Sequence, residues 1–399
     1  MPSEPAEVVI LGAGISGCAL AYHLEKRQVG PVVVYDPHTP AAGASGRAAG
    51  IVTEQLWNEW DVEVARATKR EFADLARRHD PSAYSANGFA RWTRDPDVEA
   101  AIDRAEERFR GWGVEVERLD HTALARRVPQ GRFDDVRAAL FSGGDGVVTP
   151  SAMTEIYAAS AREMGTDLWL GTPLDSVRAE GGRWELTSGG RTVRASRLVV
   201  AAGAWSKRIL ERLGHPLPLC PYRTQAALLR PAEPEADTLP SVHDIDHDVY
   251  VRPESNGRIL AGDGTEHVEA DPETFRPGGD ESFVAHVAEC FEKRFPAWAS
   301  ADLVRAWAGV CASTPDRRPL VGPVPRAEGL FVMAGFNGFG VMRAGGVAQR
   351  LARVLGAGEG SSVEREALAP VLPSRFTGPV RSFLPRPGFT LEPGDDPPF

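Results

Sequence analysis

Short apolar runs broken by glycine open the chain. Val8 to Leu11 is followed by GAGISG, Gly12 to Gly17, and then by Cys18 to Arg27, in which Ala19, Leu20 and Leu24 share one side of a helix. A second apolar run, Pro31 to Tyr35, ends in Asp36, so these pieces predict a βαβ unit. Helical spacing returns over Val62 to Arg78 (Val64, Phe72, Leu75) and over Val98 to Phe109. A second helix-strand cycle begins at Thr149-Pro150, with Thr suited to the cap and Pro to the first helical position. Strand-like segments follow at Asp167 to Leu170, Arg183 to Leu186 and Leu198 to Ala202.

From Pro216 to about Ala270 the period shortens to β-type runs, Thr224 to Leu229, Val249 to Arg252 and Arg258 to Ala261, with a turn signal at Glu254-Ser255-Asn256-Gly257. Phe283 to Phe295 reads as a helix, Gly329 to Ala334 as a strand and Val341 to Leu355 as a last helix. The pattern predicts an α/β protein: a doubly wound nucleotide-type domain over 1–85, 143–215 and 300–360, and an inserted antiparallel-sheet substrate domain over 86–142 and 216–299. A proline-rich tail, 361–399, follows.

Composition narrows the function. The 399 residues are 42% hydrophobic and 25% charged, ordinary globular usage that excludes wholesale disorder and collagen-like repetition. A formal charge of -10 repels a phosphate backbone, which argues against nucleic acid. No apolar run approaches the ~20 residues of a membrane span, and Met1-Pro2-Ser3-Glu4 lacks the basic start of a secretory signal, so a cytoplasmic location is expected. Cys18, Cys220, Cys290 and Cys311 form no CxxC pair and are read as reduced thiols.

The chemistry begins at the glycine turn. Gly12 makes the turn, Gly14 lets backbone approach a pyrophosphate, Gly17 lets helix and strand pack, and Asp36 is placed to accept from ribose hydroxyls. Both NAD and FAD suit such a unit. The small-residue loop PHTPAAGASGRAAG, Pro37 to Gly50, has Arg47 as its single arginine or lysine, and GFNGFGVM, Gly335 to Met342, supplies a second glycine-rich strand-to-helix turn. Two such turns suit a molecule with a pyrophosphate at one pole and a reducible ring at the other, although the second also suits a plain tight turn under a helix. His243 and His247 have metal-ligand spacing only on a helix; their neighbourhood reads as a polar loop, and no metal is expected.

These motifs, together with GDGVVTPSAM, LVVAAGAWS, YVRPESNGRILAGDG and WAGVCASTPDRRPLVGP, resemble the flavin-dependent amine oxidoreductases, the family of D-amino acid oxidase, glycine oxidase and the sarcosine oxidases. The resemblance runs over about residues 6 to 356. It implies a Rossmann-type domain holding non-covalent FAD at Gly12, Gly14, Ile15, Ser16, Gly17 and Asp36, with Ala44, Ser45, Gly46 and Arg47 beside the pyrophosphate and ring. It also implies Val177 facing adenine through its backbone, Gly203 and Trp205 at the cofactor, and Gly338, Phe339, Gly340, Val341 and Met342 at the flavin N1 and C2 carbonyl.

The activity implied is oxidation of the C–N bond of a small amine or amino acid, with hydride passing to flavin N5 and oxygen or an electron carrier as acceptor. A homo- or hetero-oligomer, as in a subunit of a sarcosine oxidase or dye-linked dehydrogenase, and an NAD-dependent dehydrogenase are the alternatives. Tyr250 matches a cavity tyrosine, and Arg252 shares its face on a strand. Two departures stand out: Cys311 occupies the place of a carboxylate-binding arginine, and Met342, followed by Arg343, the place of a lysine. Arg47, Arg223, Arg252 and Arg343 remain as carboxylate binders, with Arg343 and then Arg252 expected to serve. The spacing of Cys311 to the Thr-Pro-Asp turn is shorter than the pattern for covalent flavin attachment.

Overall fold

Alternation along the first strand sets two layers. In Glu4–Leu11, Val8 and Ile10 face a core shared with helices, whereas Val9 and Leu11 face the opposite core. The strand lies between Val32–Asp36 and Arg191–Val200, both parallel to it, with Leu11 opposite Tyr35 and Val200. Asp167–Leu170 extends the sheet beyond Val32–Asp36, and Leu330–Ala334 runs parallel beside the end of Arg191–Val200. An antiparallel meander, Leu174–Glu180 with Arg183–Ser188, and Leu320–Pro323, antiparallel to Leu330–Ala334, complete the eight strands.

Helices Ile15–Lys26, Glu59–His79, Pro150–Met164 and Gly340–Ala357 cover one face. The other face is covered more thinly, by Leu210 of the short helix Ser206–Arg212 and by Leu217, Leu219 and Val324. The computed structural model describes residues 4–235, 238–263, 268–357 and 366–376, with 378 and 383. Much of the expected tail lies outside the described residues; Pro373–Arg375 is a short turn whose Arg375 binds Asp316 at 2.6 and 2.9 Å. Among the described residues, no helix is long and apolar enough to cross a membrane.

A second, nine-stranded sheet carries the inserted segments. Cys220–Arg230, Arg258–Asp263, Val249–Glu254 and Ser241–Asp244 are antiparallel neighbours in that order, and Ser241–Asp244 joins Phe89–Thr93 in parallel. Asp302–Ser313 pairs with the full length of Cys220–Arg230, from Cys220 opposite Ser313 to Arg230 opposite Asp302. The boundary expected at residue 300 is thereby corrected: this strand belongs to the second sheet because its hydrogen bonds are made there. On one face Ala227, Val242, Val249, Val251 and Trp92 pack against Phe283, Val287 and Phe291 of helix Glu281–Arg294. The alternate residues, among them Tyr222, Thr224, His243 and Tyr250, face the other way.

Arg343 is fully buried (0% exposed) and joins two helices to the last glycine turn. Its guanidinium meets Asp61 at 2.6 Å and donates to the Phe336 and Phe339 carbonyls at 2.5 and 3.3 Å. Asp61 accepts in turn from Asn58 Nδ2 at 2.8 Å. The expectation that Arg343 holds a substrate is corrected accordingly, since its charge is neutralised inside the helix layer. Removing one partner of a buried pair leaves a buried charge unpaired, at a cost of about 3–5 kcal/mol. Arg343→Met should therefore lose about that much in urea unfolding, and Asp61→Leu added to it should recover part of the loss.

Candidate functional site

A continuous cleft of ≈ 1200 Å³ runs between the two sheets, from Asp36 to the wall carrying Tyr250. At its first end, backbone approaches replace side chains. Gly12 has φ +114°, and a Cβ there would lie 2.5 Å from the Ala201 carbonyl oxygen. Gly14 lines the cleft; a Cβ on it would stand 3.2 Å from Ser45 Oγ, which accepts from the Ile15 N–H at 3.0 Å. Asp36 accepts from the N–H groups of Ala13 and His38 at 2.8 and 2.9 Å. Burial raises its carboxyl above the ordinary aspartate value, against those two N–H groups, which lower it.

Of the residues expected at the cofactor, the cleft brings together Gly12, Gly14, Ile15, Ser16, Asp36, Ala44, Ser45, Arg47, Gly203, Trp205, Gly338, Phe339, Gly340, Val341 and Met342. Three stand elsewhere. Gly17 packs under the turn, where a Cβ would lie 1.9 Å from the Gly12 oxygen, and Gly46 closes on Ala41, donating to its carbonyl at 2.9 Å. Val177 packs against the thinly covered core of the first sheet, and it is Pro173 and Leu174 that reach the cleft.

The second end is an aromatic chamber. Trp57 and Phe339 meet edge to face, centroids 4.6 Å apart, and Phe89, Tyr222, Tyr250 and Trp307 add to the wall. Tyr250 lies across from Gly262 on the neighbouring strand, where a Cβ would come within 2.0 Å of the tyrosine hydroxyl, so the glycine makes room for the ring. Tyr222 is directly opposite Cys311 and donates its hydroxyl hydrogen to the sulfur. The same hydroxyl would be 3.0 Å from a Cβ on Gly338, whose φ is +84°. Burial raises the Tyr222 hydroxyl well above its ordinary value and pushes the Cys311 thiol up to about 11, with the Tyr222 hydrogen bond pulling the thiol the other way.

Arg252 shares the Tyr250 face, as expected, but does not line the cleft. It is 5% exposed and held by Glu254 and the Pro253 carbonyl, both at 2.8 Å. Arg223 is paired with Asp280 at 2.6 Å. Of the two histidines expected in a polar loop, His247 lies in the turn between two strands and His243 on the strand before it. His243 is on strand Ser241–Asp244 and lines the cleft with Asp248, 3.3 Å away, while His247, in the turn, is 3.0 Å from Asp244. Asp244, His247 and Cys290 bring donor atoms within 4.8 Å of one another, but Arg294 already meets Asp244 at 3.0 Å and supplies the compensating charge.

Sequence reasoning missed Trp57, Phe89, Tyr222 and the His243–Asp248 pair. Tyr222 and Thr224 were open to detection, because they alternate with the core-facing Ala227 and Leu229 of their strand. Trp57 and Phe89 carry no such signal, since their place depends on contacts across the fold.

With this geometry in hand, comparison with known proteins places the chain in a family. The FAD dependent oxidoreductase model matches residues 7–354, and the chain belongs to that family. Human dimethylglycine dehydrogenase, a mitochondrial protein, is 26% identical over 373 residues, 87% of this chain and 42% of that one. Glycine oxidase of Geobacillus kaustophilus (strain HTA426) is 25% identical over 346 residues, 84% of this chain and 89% of that one. The structure of L-proline dehydrogenase from P. horikoshii superposes with a TM-score of 0.84 at 24% identity, covering 94% of this chain and 98% of that one, and shows a common fold. The chain spans about two-fifths of the length of the dimethylglycine dehydrogenases. Membership in an FAD-dependent family sets aside the nicotinamide alternative.

The Cys311 environment has a measurable consequence. Its raised value keeps the protonated thiol dominant at neutral pH, so peptide-resolved alkylation by iodoacetamide should be slow at pH 7.5 and should climb about tenfold per pH unit toward 11. A pH-independent labelling rate between 7 and 10 would contradict the assignment.

Proposed function

We propose that the chain binds FAD non-covalently along this cleft and oxidises the C–N bond of a small amine or amino acid. The observation that carries the reading is the continuity of one cleft from the Gly12–Ser16 turn to the Gly335–Met342 turn, with an aromatic chamber at the second. The residues present fit the cofactor: Gly14 leaves backbone exposed where a diphosphate would lie, and Asp36 stands at the ribose position. Ser16, Ala44, Ser45, Arg47, Gly203 and Trp205 would line its length, and Gly338 to Met342 would meet the ring where helix Gly340–Ala357 begins.

When bound, FAD supplies the hydride acceptor for a substrate Cα–H. The chain's own residues orient the substrate and exclude water, through Trp57, Phe89, Tyr222, Tyr250 and Phe339. The amino end of the last helix favours negative charge at the ring. Tyr222 and Cys311 hold their protons at neutral pH and serve as a neutral wall, not as bases. A thiol in that state is a poor partner for covalent attachment. Oxygen or an electron carrier would reoxidise the flavin.

Purified protein should be yellow, and acid precipitation should release the flavin into the supernatant; flavin kept in the pellet and freed by Cys311→Ala would overturn non-covalent binding. Gly14→Val should yield colourless protein, because the side chain enters the cleft beside Ser45. A panel of amines under anaerobic conditions, scored by bleaching of the flavin, tests the reaction itself.

A further inference from the structure

We propose that Asp248, with His243 behind it, binds a cationic second group on the substrate, so that the amine oxidised here carries a further basic nitrogen in place of a carboxylate. This deepens the functional reading above and rests on it. Asp248 closes the turn between strands Ser241–Asp244 and Val249–Glu254, and its side chain lines the chamber while 35% exposed. Its φ of +50° places it in the left-handed region, which aspartate tolerates better than most residues, and its N–H donates to the Ile245 carbonyl at 3.3 Å. The carboxylate is therefore presented beside the strand face that carries His243, 3.3 Å away, and Tyr250.

Beside Asp248 the surroundings suit a cation. Tyr250 brings an aromatic ring to the same wall, and such rings attract an ammonium group; the Phe89 and Trp57 rings already have Arg91 and Arg343 at 5.3 and 5.8 Å from their centroids. The arginines available for a substrate carboxylate are engaged elsewhere: Arg252 with Glu254, Arg343 with Asp61 and Arg223 with Asp280. The guanidinium of Arg47 is turned onto the Ala42 and Gly43 carbonyls, the latter at 3.0 Å, on the Trp205 side of the cleft. Cys311, where a carboxylate-binding arginine was expected, offers a protonated thiol. A substrate carboxylate drawn into the chamber would meet Asp248 as a like charge, whereas an ammonium group would find an acceptor. Arg317 also lines the cleft, at the turn where its N–H donates to Thr314, and it represents the opposite preference in the test.

The experiment uses the FAD-loaded full chain with three four-carbon probes: 1,4-diaminobutane, butylamine and 4-aminobutanoate. Binding is read by calorimetry and reaction by anaerobic bleaching of the flavin. Diaminobutane should bind and bleach best. Asp248→Asn, at unchanged FAD content, should weaken diaminobutane at least ~30-fold more than butylamine, the scale expected for losing one partner of a charged hydrogen bond. Asp248→Glu, which keeps the charge, should retain the diamine preference and covers the case in which the asparagine variant folds poorly. Preference for 4-aminobutanoate, abolished by Arg317→Met and untouched by Asp248→Asn, would overturn the proposal while leaving amine oxidation intact. Equal weakening of all three probes in Asp248→Asn would also overturn it, by showing a scaffold role only. If no amine in a wider panel bleaches the flavin, the functional reading itself fails and this inference falls with it.

Discussion

Backbone lies directly against backbone where the first strand, the first helix and the Arg191–Val200 strand converge. A Cβ on Gly17 would overlap the Gly12 oxygen at 1.9 Å, and one on Gly12 would reach the Ala201 oxygen at 2.5 Å. These approaches bring the amino end of helix Ile15–Lys26 down to the crest of the sheet, and the cleft floor follows from them. Asp36, at the end of the adjacent strand, then turns its carboxylate onto the Ala13 N–H. The second sheet supplies the facing wall, and its orientation is set by the alternation that buries Val249 and Val251 on helix Glu281–Arg294 and leaves Tyr250 for the cleft.

What could be read in the sequence was what depends on local period. The βαβ unit, the helices near Val62 to Arg78 and Val341 to Leu355 and the antiparallel inserted runs follow from spacings of 3.6 and 2, and each corresponds to an observed element. The cleft-lining residues inside the two glycine turns were legible for the same reason, since turn and helix start lie within a few residues of each other. Long-range partnerships were not. Arg343 looked like a substrate ligand because it opens a helix beside the last glycine turn, yet its partner Asp61 stands 282 residues earlier. Arg252 was placed on the correct face, but Glu254, two residues on, neutralises it. The His243–His247 spacing suggested a pair only on a helix; His243 stands on a strand and His247 in the turn that follows it.

One contact joins the two sheets at the loop that carries Arg47. Trp307, on the second sheet, donates its indole N–H to the Arg47 carbonyl at 3.0 Å, and Gly309 on the same strand leaves space filled by the Arg47 side chain. The loop that would lie along a bound dinucleotide is thus braced from outside its own domain. Any molecule gripped by that loop stabilises the docking of both sheets at once, because binding to the folded arrangement draws the folding equilibrium toward it. Binding at that loop and docking of the second sheet against it are in this sense thermodynamically linked.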